Sequence, residues 1–179
     1  MSIPEFIDGY YLPPGIHKCT IAEVEKKLAC SSETRKKVWK CFKRSLERFL
    51  EIGLIPVKIL INGSFVTGRK EPGDVDSVFW VPPDIIIKAI TNVDDKHDYS
   101  AILILTNARN SDLIRDIFGA HCVVVSTEQD LEEWSKFFRC GGANGLRTPD
   151  PQKDPPWVKK PNEKGILIIE NFKEEEYHD

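Results

Sequence analysis

Two aspartates separated by a single residue, Asp74 and Asp76, are the residues of this chain whose type and spacing point most directly to chemistry. Residues two apart in an extended segment project to the same face, which puts both carboxylates roughly 7 Å apart at the backbone. Like charges at that separation repel each other unless a cation lies between them. Hard oxygen ligands suit Mg²⁺, which takes one or two carboxylates together with waters and substrate phosphates. We therefore expect Asp74 and Asp76 to bind Mg²⁺ or Mn²⁺ and to serve as the catalytic pair.

A Gly-Ser pair, Gly63-Ser64, lies just upstream of the aspartates, at the end of an apolar run. Glycine permits a ligand to approach the backbone closely, and a serine hydroxyl with neighbouring N–H groups can hold phosphate oxygens. Arg69 and Lys70 follow in a polar loop and are further candidates for binding phosphate. The pattern predicts that a nucleoside triphosphate and Mg²⁺ meet between two strand ends. The alternative is a solvated turn that begins the next strand and leaves Asp76 facing water.

The stretch "NGSFVTGRKEPGDVDSVFWV" (62–81) resembles the signature of the nucleotidyltransferase superfamily that includes DNA polymerase beta, namely Gly-Ser, a short spacer and Asp-x-Asp opening a strand. More narrowly, nearly the whole chain is similar to a family of small, largely uncharacterised bacterial nucleotidyltransferase-like proteins. The segments that carry this similarity are "LPPGIHKCTIAEVEKKL" (12–28), "GSFVTGRKEPGDVD" (63–76), "WSKFFR" (134–139) and "KGILIIE" (164–170).

The resemblance implies a palm-like mixed sheet with an N-terminal helical arm. It further implies that Ser64 binds the terminal phosphates of the nucleotide and that Asp74 and Asp76 hold Mg²⁺. In active members a third carboxylate on a later strand completes the metal site and helps to deprotonate the acceptor hydroxyl.

The third carboxylate is where this sequence departs from the pattern. The corresponding segment reads "GAHCVVVST" (119–127), with His121 and Cys122 about where the acid is expected. A thiol is a poor ligand for Mg²⁺, whereas His121 can serve as a general base in a mechanism with one metal ion. Cys122 also fits the alternative of a buried apolar residue. The acids of the segment before that strand are further candidates: Asp94, Asp95 and Asp98.

Two functions follow from these residues and the resemblance. The first is Mg²⁺-dependent transfer of a nucleoside monophosphate from a nucleoside triphosphate to a hydroxyl of a protein, an RNA or a small molecule. The second is a catalytically inactive module of the same fold that binds a nucleotide or a partner protein, for example in a toxin–antitoxin or phage-defence system. The missing third acid separates the two hypotheses.

The hydrophobic pattern predicts a mixed α/β fold, in which a central sheet of the palm type is flanked by helices. Strands are expected at 57–62, 75–81, 101–106, 122–126 and 165–170, and helices from Thr20, over 32–51, and at 84–90, 112–118 and 128–138. We expect one domain, with an N-terminal arm and helices over 1–53, a palm-like core over 54–139, and a long loop with a terminal strand over 140–179. Trp157 is the predicted anchor of that loop.

Composition excludes several other classes. A chain of 179 residues with a net charge of −3 has neither a long basic run nor an apolar run of about 20 residues, so binding of bulk nucleic acid or insertion into a membrane is not indicated. Five cysteines without C-x-x-C spacing predict reduced thiols and a cytoplasmic location. The basic residues of the helix over 32–51, from Arg35 to Arg48, are expected to form a solvated face.

Overall fold

A mixed sheet of five strands forms the centre of the computed structural model, which describes residues 3–170 and residue 172. The strands are β1 (Gly15–Lys18), β2 (Lys58–Asn62), β3 (Asp76–Trp80), β4 (His121–Val125) and β5 (Gly165–Glu170). Their order across the sheet is β1-β5-β2-β3-β4. The predicted mixed α/β class with a central sheet is thus confirmed, and strands from all three predicted segments share that sheet. The remainder of the third segment, residues 171 and 173–179, lies outside the described residues.

The strand directions bring four chain segments to one end of the sheet. β2 runs antiparallel to both β3 and β5, whereas β3 and β4 are parallel. The end of β2 therefore lies beside the starts of β3 and β5, and the start of β4 follows next to β3. In the register, Asn62 is opposite Asp76, and Asp76 is opposite His121. This end of the sheet, which we call the site end, carries the predicted site residues.

In the described part of the chain, six α-helices cover the two faces of the sheet. They are α1 (Ile21–Lys27), α2 (Glu33–Glu51), α3 (Pro83–Asn92), α4 (Lys96–Leu105), α5 (Ser111–Phe118) and α6 (Glu128–Cys140). Side chains that alternate along each strand divide the core, so that Ile59, Ile61 and Phe79 pack with residues of α1 to α5 while Leu60 and Val78 pack with α6. The sheet is therefore buried on both faces.

Helix capping confirms the predicted helix starts. Thr20 forms a complete capping box with Glu23 at the start of α1. The side chains of Ser32 and Thr127 accept backbone N–H bonds at the starts of α2 and α6. These local polar signals fixed the predicted boundaries to within a few residues.

The predicted strand at 101–106 is wrong, because this segment belongs to helix α4. Asp95 caps the helix by accepting the N–H groups of His97 and Asp98. Ile102 and Leu105, three residues apart, are buried, whereas Leu103 and Ile104 between them are 47% and 37% exposed. The apolar run therefore has a helical period with one buried face, and its uninterrupted apolar composition resembled that of a buried strand.

The N-terminal arm also differs from its prediction. The prolines and glycines of residues 1–19 predict an arm that lies extended on the surface, yet β1 forms an edge strand parallel to β5, and Ile3 and Leu12 are buried in the core. The carbonyl oxygen of Tyr10 accepts a hydrogen bond of 2.7 Å from the N–H of Gly68. The arm therefore packs against the loop that follows β2.

The long connection from α6 to β5 is irregular, as predicted, but its anchor is not Trp157. That side chain is 65% exposed, whereas Asp154 is 7% exposed and bonded to Arg69 and Tyr10. A buried carboxylate with cationic and hydroxyl partners holds the loop in place instead of an aromatic side chain.

Arg35 is the exception on the basic face of α2, because its side chain is buried rather than solvated. Its guanidinium donates to the carbonyl oxygens of Leu28 (2.9 Å), Arg69 (2.7 Å) and Phe65. Burial lowers the pKa of Arg35 to about 10, which leaves it charged at neutral pH. One side chain thus ties the end of α1 and the loop after β2 to helix α2.

None of the described helices combines the length and the apolar character that crossing a membrane requires.

Replacing Arg35 with methionine should lower the free energy of unfolding by roughly 3 kcal/mol, because buried carbonyl oxygens lose a charged donor. Urea denaturation of the two proteins measures this difference. Lys37→Met is the matched control, since Lys37 is exposed on the same helix, and it should change stability by no more than about 0.5 kcal/mol. Equal stability of Arg35→Met and the parent would contradict the role assigned to Arg35.

Candidate functional site

Asp76 and His121 form the centre of the site end. Asp76 is the first residue of β3, His121 is the first residue of β4, and the His121 Nδ1 atom lies 3.1 Å from Asp76 Oδ1. An ionised carboxylate only accepts hydrogen bonds, so Nδ1 is the donor. This bond, with the negative charges of Asp76 and Asp74, raises the pKa of His121. The imidazole therefore has a fixed orientation and an increased affinity for a proton.

Asp74 lies two residues before Asp76, just outside β3, and is half-buried. Burial raises the pKa of Asp74, and the negative charge of Asp76 raises it further, while His121 and Arg115 act in the opposite direction. Within residues 3–170 and 172, no ion pair or hydrogen bond engages the Asp74 carboxylate. The negative charge of Asp76 thus acts on Asp74 as expected, and the Asp74 carboxylate has no partner among the described residues.

The Gly63-Ser64 turn lies directly against Asp76. Gly63 has a φ of +81°, and a Cβ atom built on it would be 2.1 Å from Asp76 Oδ2. Glycine adopts this positive φ without strain, and only a residue without a Cβ atom leaves room for a carboxylate this close. A short 3-10 turn follows over Ser64–Val66, and Ser64 itself is half-buried. The structure thus brings four of the predicted residues together, namely Gly63, Ser64, Asp74 and Asp76.

Arg69, one of the two basic residues predicted to bind phosphate, is engaged within the protein. Its Nε and Nη2 atoms donate to the two oxygens of Asp154 at 2.7 and 2.5 Å, and Tyr10 donates to the same carboxylate. Although burial favours the neutral acid, the bonds from Arg69 and Tyr10 hold the pKa of Asp154 at about 2. Lys70 is exposed, and its carbonyl oxygen accepts a hydrogen bond from Ser32.

Of the two residues named in place of the third acid, His121 lies beside Asp76 and Cys122 does not. The Cys122 side chain is fully buried in the core, with its sulfur 3.3 Å from the hydroxyls of Ser45 and Ser77. Burial raises the pKa of this thiol. Cys122 therefore fits the alternative of a buried core residue.

Two of the acids named as further candidates have other partners, since Asp95 caps α4 and Asp98 accepts a hydrogen bond from Arg48. The third, Asp94, is exposed between α3 and α4. Across the described part of the chain, no three residues among His, Cys, Asp and Glu are grouped so that they could hold a metal ion by themselves. Any metal at Asp74 and Asp76 would need further ligands from water or a bound molecule.

Two residues of the site end, Asn62 and Lys164, were not predicted from the sequence. Lys164 precedes β5, is 9% exposed, and donates from Nζ to the Gly63 carbonyl oxygen at 3.3 Å. Burial lowers the pKa of Lys164 to about 8, although the charge of Asp76 acts in the opposite direction. Asn62 is 8% exposed, and its Oδ1 atom has no hydrogen-bond partner among the described residues. Only the pairing of β5 with β2 reveals this neighbourhood.

The chain belongs to a protein family described as "Family of unknown function (DUF6932)", which it matches over residues 4–170. No curated protein matches the chain. No solved structure matches it either.

Gly63→Ala should destabilise the protein and displace Asp76, because the new methyl group meets both an unfavourable backbone conformation and the carboxylate. We expect a loss of at least about 1 kcal/mol in the free energy of unfolding, measured by urea denaturation. Gly73→Ala is the matched control, since a Cβ atom there has no neighbour within 4 Å. A similar small effect of both substitutions would count against the described packing of Gly63 on Asp76.

The imidazole of His121 should titrate above the ordinary value of about 6.5, and Asp76→Asn should bring its pKa back toward that value. Because the folded-state pKa is raised, the protonated pair stabilises the protein fully below about pH 6.5, and this contribution disappears as the pH rises through the folded-state pKa. NMR titration of the imidazole resonances measures the shift. Identical His121 titration curves in the two proteins would show that the hydrogen bond does not form.

Proposed function

We propose that this member of the family binds a nucleoside triphosphate with Mg²⁺ or Mn²⁺ at the site end and transfers the nucleoside monophosphate to a hydroxyl group. The observation that carries the proposal is the cluster at the end of β2 and the starts of β3 and β4. There Asp76 is packed against the Gly-Ser turn and hydrogen-bonded to His121, and the half-buried Asp74 lies two residues before it.

The donor set of this cluster fits Mg²⁺ when phosphate is present. Asp74 has no partner among the described residues, and Asp76 bonds to His121 through Oδ1 only, so carboxylate oxygens are left for a cation. Mg²⁺ in proteins commonly takes one or two carboxylates and completes its coordination with water and substrate phosphates. When bound, the ion would supply positive charge to the reacting phosphate and its leaving group. The same interpretation explains why two acids lie so close together.

The protein's own residues have distinct parts in the proposed reaction. Gly63 and Ser64 bind the phosphate chain, and Asp76 orients the imidazole of His121 through Nδ1. That orientation leaves Nε2 to accept the proton of the acceptor hydroxyl. The acceptor oxygen then forms its bond to the α-phosphorus, the bond from this phosphorus to the oxygen bridging the α- and β-phosphates breaks, and pyrophosphate leaves with that electron pair.

A binding module without turnover is the second candidate, and the residue beside Asp76 favours it. The resemblance to active nucleotidyltransferases requires a carboxylate on the later strand, and this chain has His121 there. With one fewer negative charge, the site has less affinity for a second metal ion. Such a protein would retain nucleotide binding at the same residues, and its partner could belong to a toxin–antitoxin or phage-defence system.

A transfer assay separates the two candidates. The protein is incubated with each of the four α-labelled nucleoside triphosphates, Mg²⁺ or Mn²⁺, and a cell extract as the source of acceptors. Transfer predicts a labelled product that falls at least about 100-fold with Asp76→Asn, because the substitution removes both a metal ligand and the partner of His121. Asp94→Asn, a change at an exposed acid between α3 and α4, should leave the product unchanged.

Thermal unfolding with and without nucleotide and Mg²⁺ completes the comparison within each variant. A nucleotide at about 100 times its Kd should stabilise the parent protein by roughly 2.7 kcal/mol, and Asp76→Asn should lose this increment. Stabilisation without labelled product would identify the binding module. If no nucleotide stabilises the protein, both nucleotidyl transfer and nucleotide binding at this site are wrong.

A further inference from the structure

Lys164 is a buried cation without an anionic partner among the described residues. Its side chain is 9% exposed, and within residues 3–170 and 172 its ammonium donates one hydrogen bond, to the Gly63 carbonyl oxygen, and has no carboxylate within ion-pair distance. An ammonium group has three donors, and lysine is rarely buried unless it is paired. Lys164 therefore retains hydrogen-bonding capacity next to the Gly-Ser turn.

Asn62 is a second incomplete polar group at the same place. It immediately precedes Gly63, and its buried Oδ1 atom has no partner among the described residues. Unsatisfied buried polar atoms are uncommon in native proteins, and each requires an explanation. Asn62 and Lys164 come from chain segments far apart in sequence, yet both adjoin the Gly63 peptide, which makes a ligand the common explanation.

The backbone around Lys164 is held on both sides. The Lys164 N–H donates to the Arg139 carbonyl oxygen at 3.0 Å, and the Gly165 N–H donates to the Leu12 carbonyl oxygen at 3.2 Å. A Cβ atom on Gly165 would lie 2.2 Å from the carbonyl oxygen of Pro13, so the arm and β5 approach as closely as glycine permits. The backbone position of Lys164 is thus fixed by packing, and the bond from Nζ to the Gly63 carbonyl oxygen directs the side chain toward the Gly-Ser turn.

We propose that Lys164 and Asn62 form a polyphosphate-binding corner, in which the Lys164 ammonium binds phosphate oxygens and the Asn62 Oδ1 atom, an acceptor, is left for the Mg²⁺ or water that accompanies the phosphate chain. The identification of the phosphate chain as that of a nucleotide rests on the proposed function. Lys164 then has the phosphate-binding role that was predicted for Arg69, because the Nε and Nη2 atoms of Arg69 are bonded to Asp154. The ammonium also opposes the negative charge of Asp76, which would otherwise repel an anion.

Inorganic tripolyphosphate with Mg²⁺ is the probe, because it contains the phosphate chain without base or ribose. Isothermal titration calorimetry compares the parent, Lys164→Met and the control Lys159→Met, a substitution at an exposed residue of the same loop. We expect Lys164→Met to raise the Kd at least tenfold and Lys159→Met to change it less than twofold. Lys164→Met without ligand should melt no lower than the parent, because an unpaired buried charge opposes folding.

Equal affinity of Lys164→Met and the parent for tripolyphosphate, or no binding by the parent, would overturn the inference. Should Lys164→Met fail to fold, the parent alone decides, since tripolyphosphate must shift the assigned Lys164 Cε resonance and an unshifted resonance refutes the contact. Binding of tripolyphosphate through Lys164 without binding of any nucleotide would refute the proposed function and retain this corner. Nucleotide binding that is insensitive to Lys164→Met would refute this corner and retain the proposed function.

Discussion

The buried guanidinium of Arg35 is the interaction on which the candidate site depends. The loop between β2 and β3 has little regular structure of its own, and its carbonyl oxygens at Phe65 and Arg69 point to this one donor in helix α2. A third bond to Leu28 ties the same group to the end of α1. Because the Gly-Ser turn begins this loop, the packing of α2 on the sheet also determines where a ligand would meet the backbone. An isolated hairpin of β2 and β3 would lack that constraint.

The polar groups around the site fall into two kinds. The carboxylate of Asp154 is bonded to Arg69, Tyr10 and the backbone N–H of Asp150, so it stabilises the long loop without needing a ligand. Asp74, Asn62 and Lys164 are buried or half-buried, and within the described residues their hydrogen bonding is incomplete. Incomplete polar groups cost free energy in the folded protein. Trp39, Trp80 and Ser135 also have a buried polar atom without a partner among the described residues, whereas Asp74, Asn62 and Lys164 all lie at the site end, where ligand binding can complete them. Apolar residues at these three positions would give a larger free energy of unfolding than these polar residues do.

Local signals in the sequence predicted most of the fold. Capping residues such as Thr20 and Thr127 and the β-branched runs located their elements because their physics acts over a few residues. The prediction of a strand at 101–106 was wrong because the uninterrupted apolar run does not show which of its residues recur at helical spacing. Arg35 was assigned to the solvated face, although it lies three and seven residues before Val38 and Phe42, both of which are buried. Helical spacing could have placed it on the buried side, whereas Lys164 has no such signal. Its position depends on the pairing of β5 with β2, which brings Lys164 next to Gly63, 101 residues earlier in the chain.

In the proposed function, His121 in place of the carboxylate that the resemblance implies would change how metal and phosphate bind. The acids of the proposed site are Asp74 and Asp76, and Lys164 lies nearby. Mg²⁺ alone would have only these two carboxylates as ligands and would be repelled by the Lys164 ammonium, whereas polyphosphate alone would be repelled by the two carboxylates. Each ion removes the repulsion that opposes the other, so the two should bind cooperatively, and by linkage each raises the affinity for the other by the same factor. A third carboxylate would weaken this dependence by holding the metal in the absence of phosphate. In the proposed function, the histidine would thus favour a site that fills only when the metal and the phosphorylated ligand arrive together.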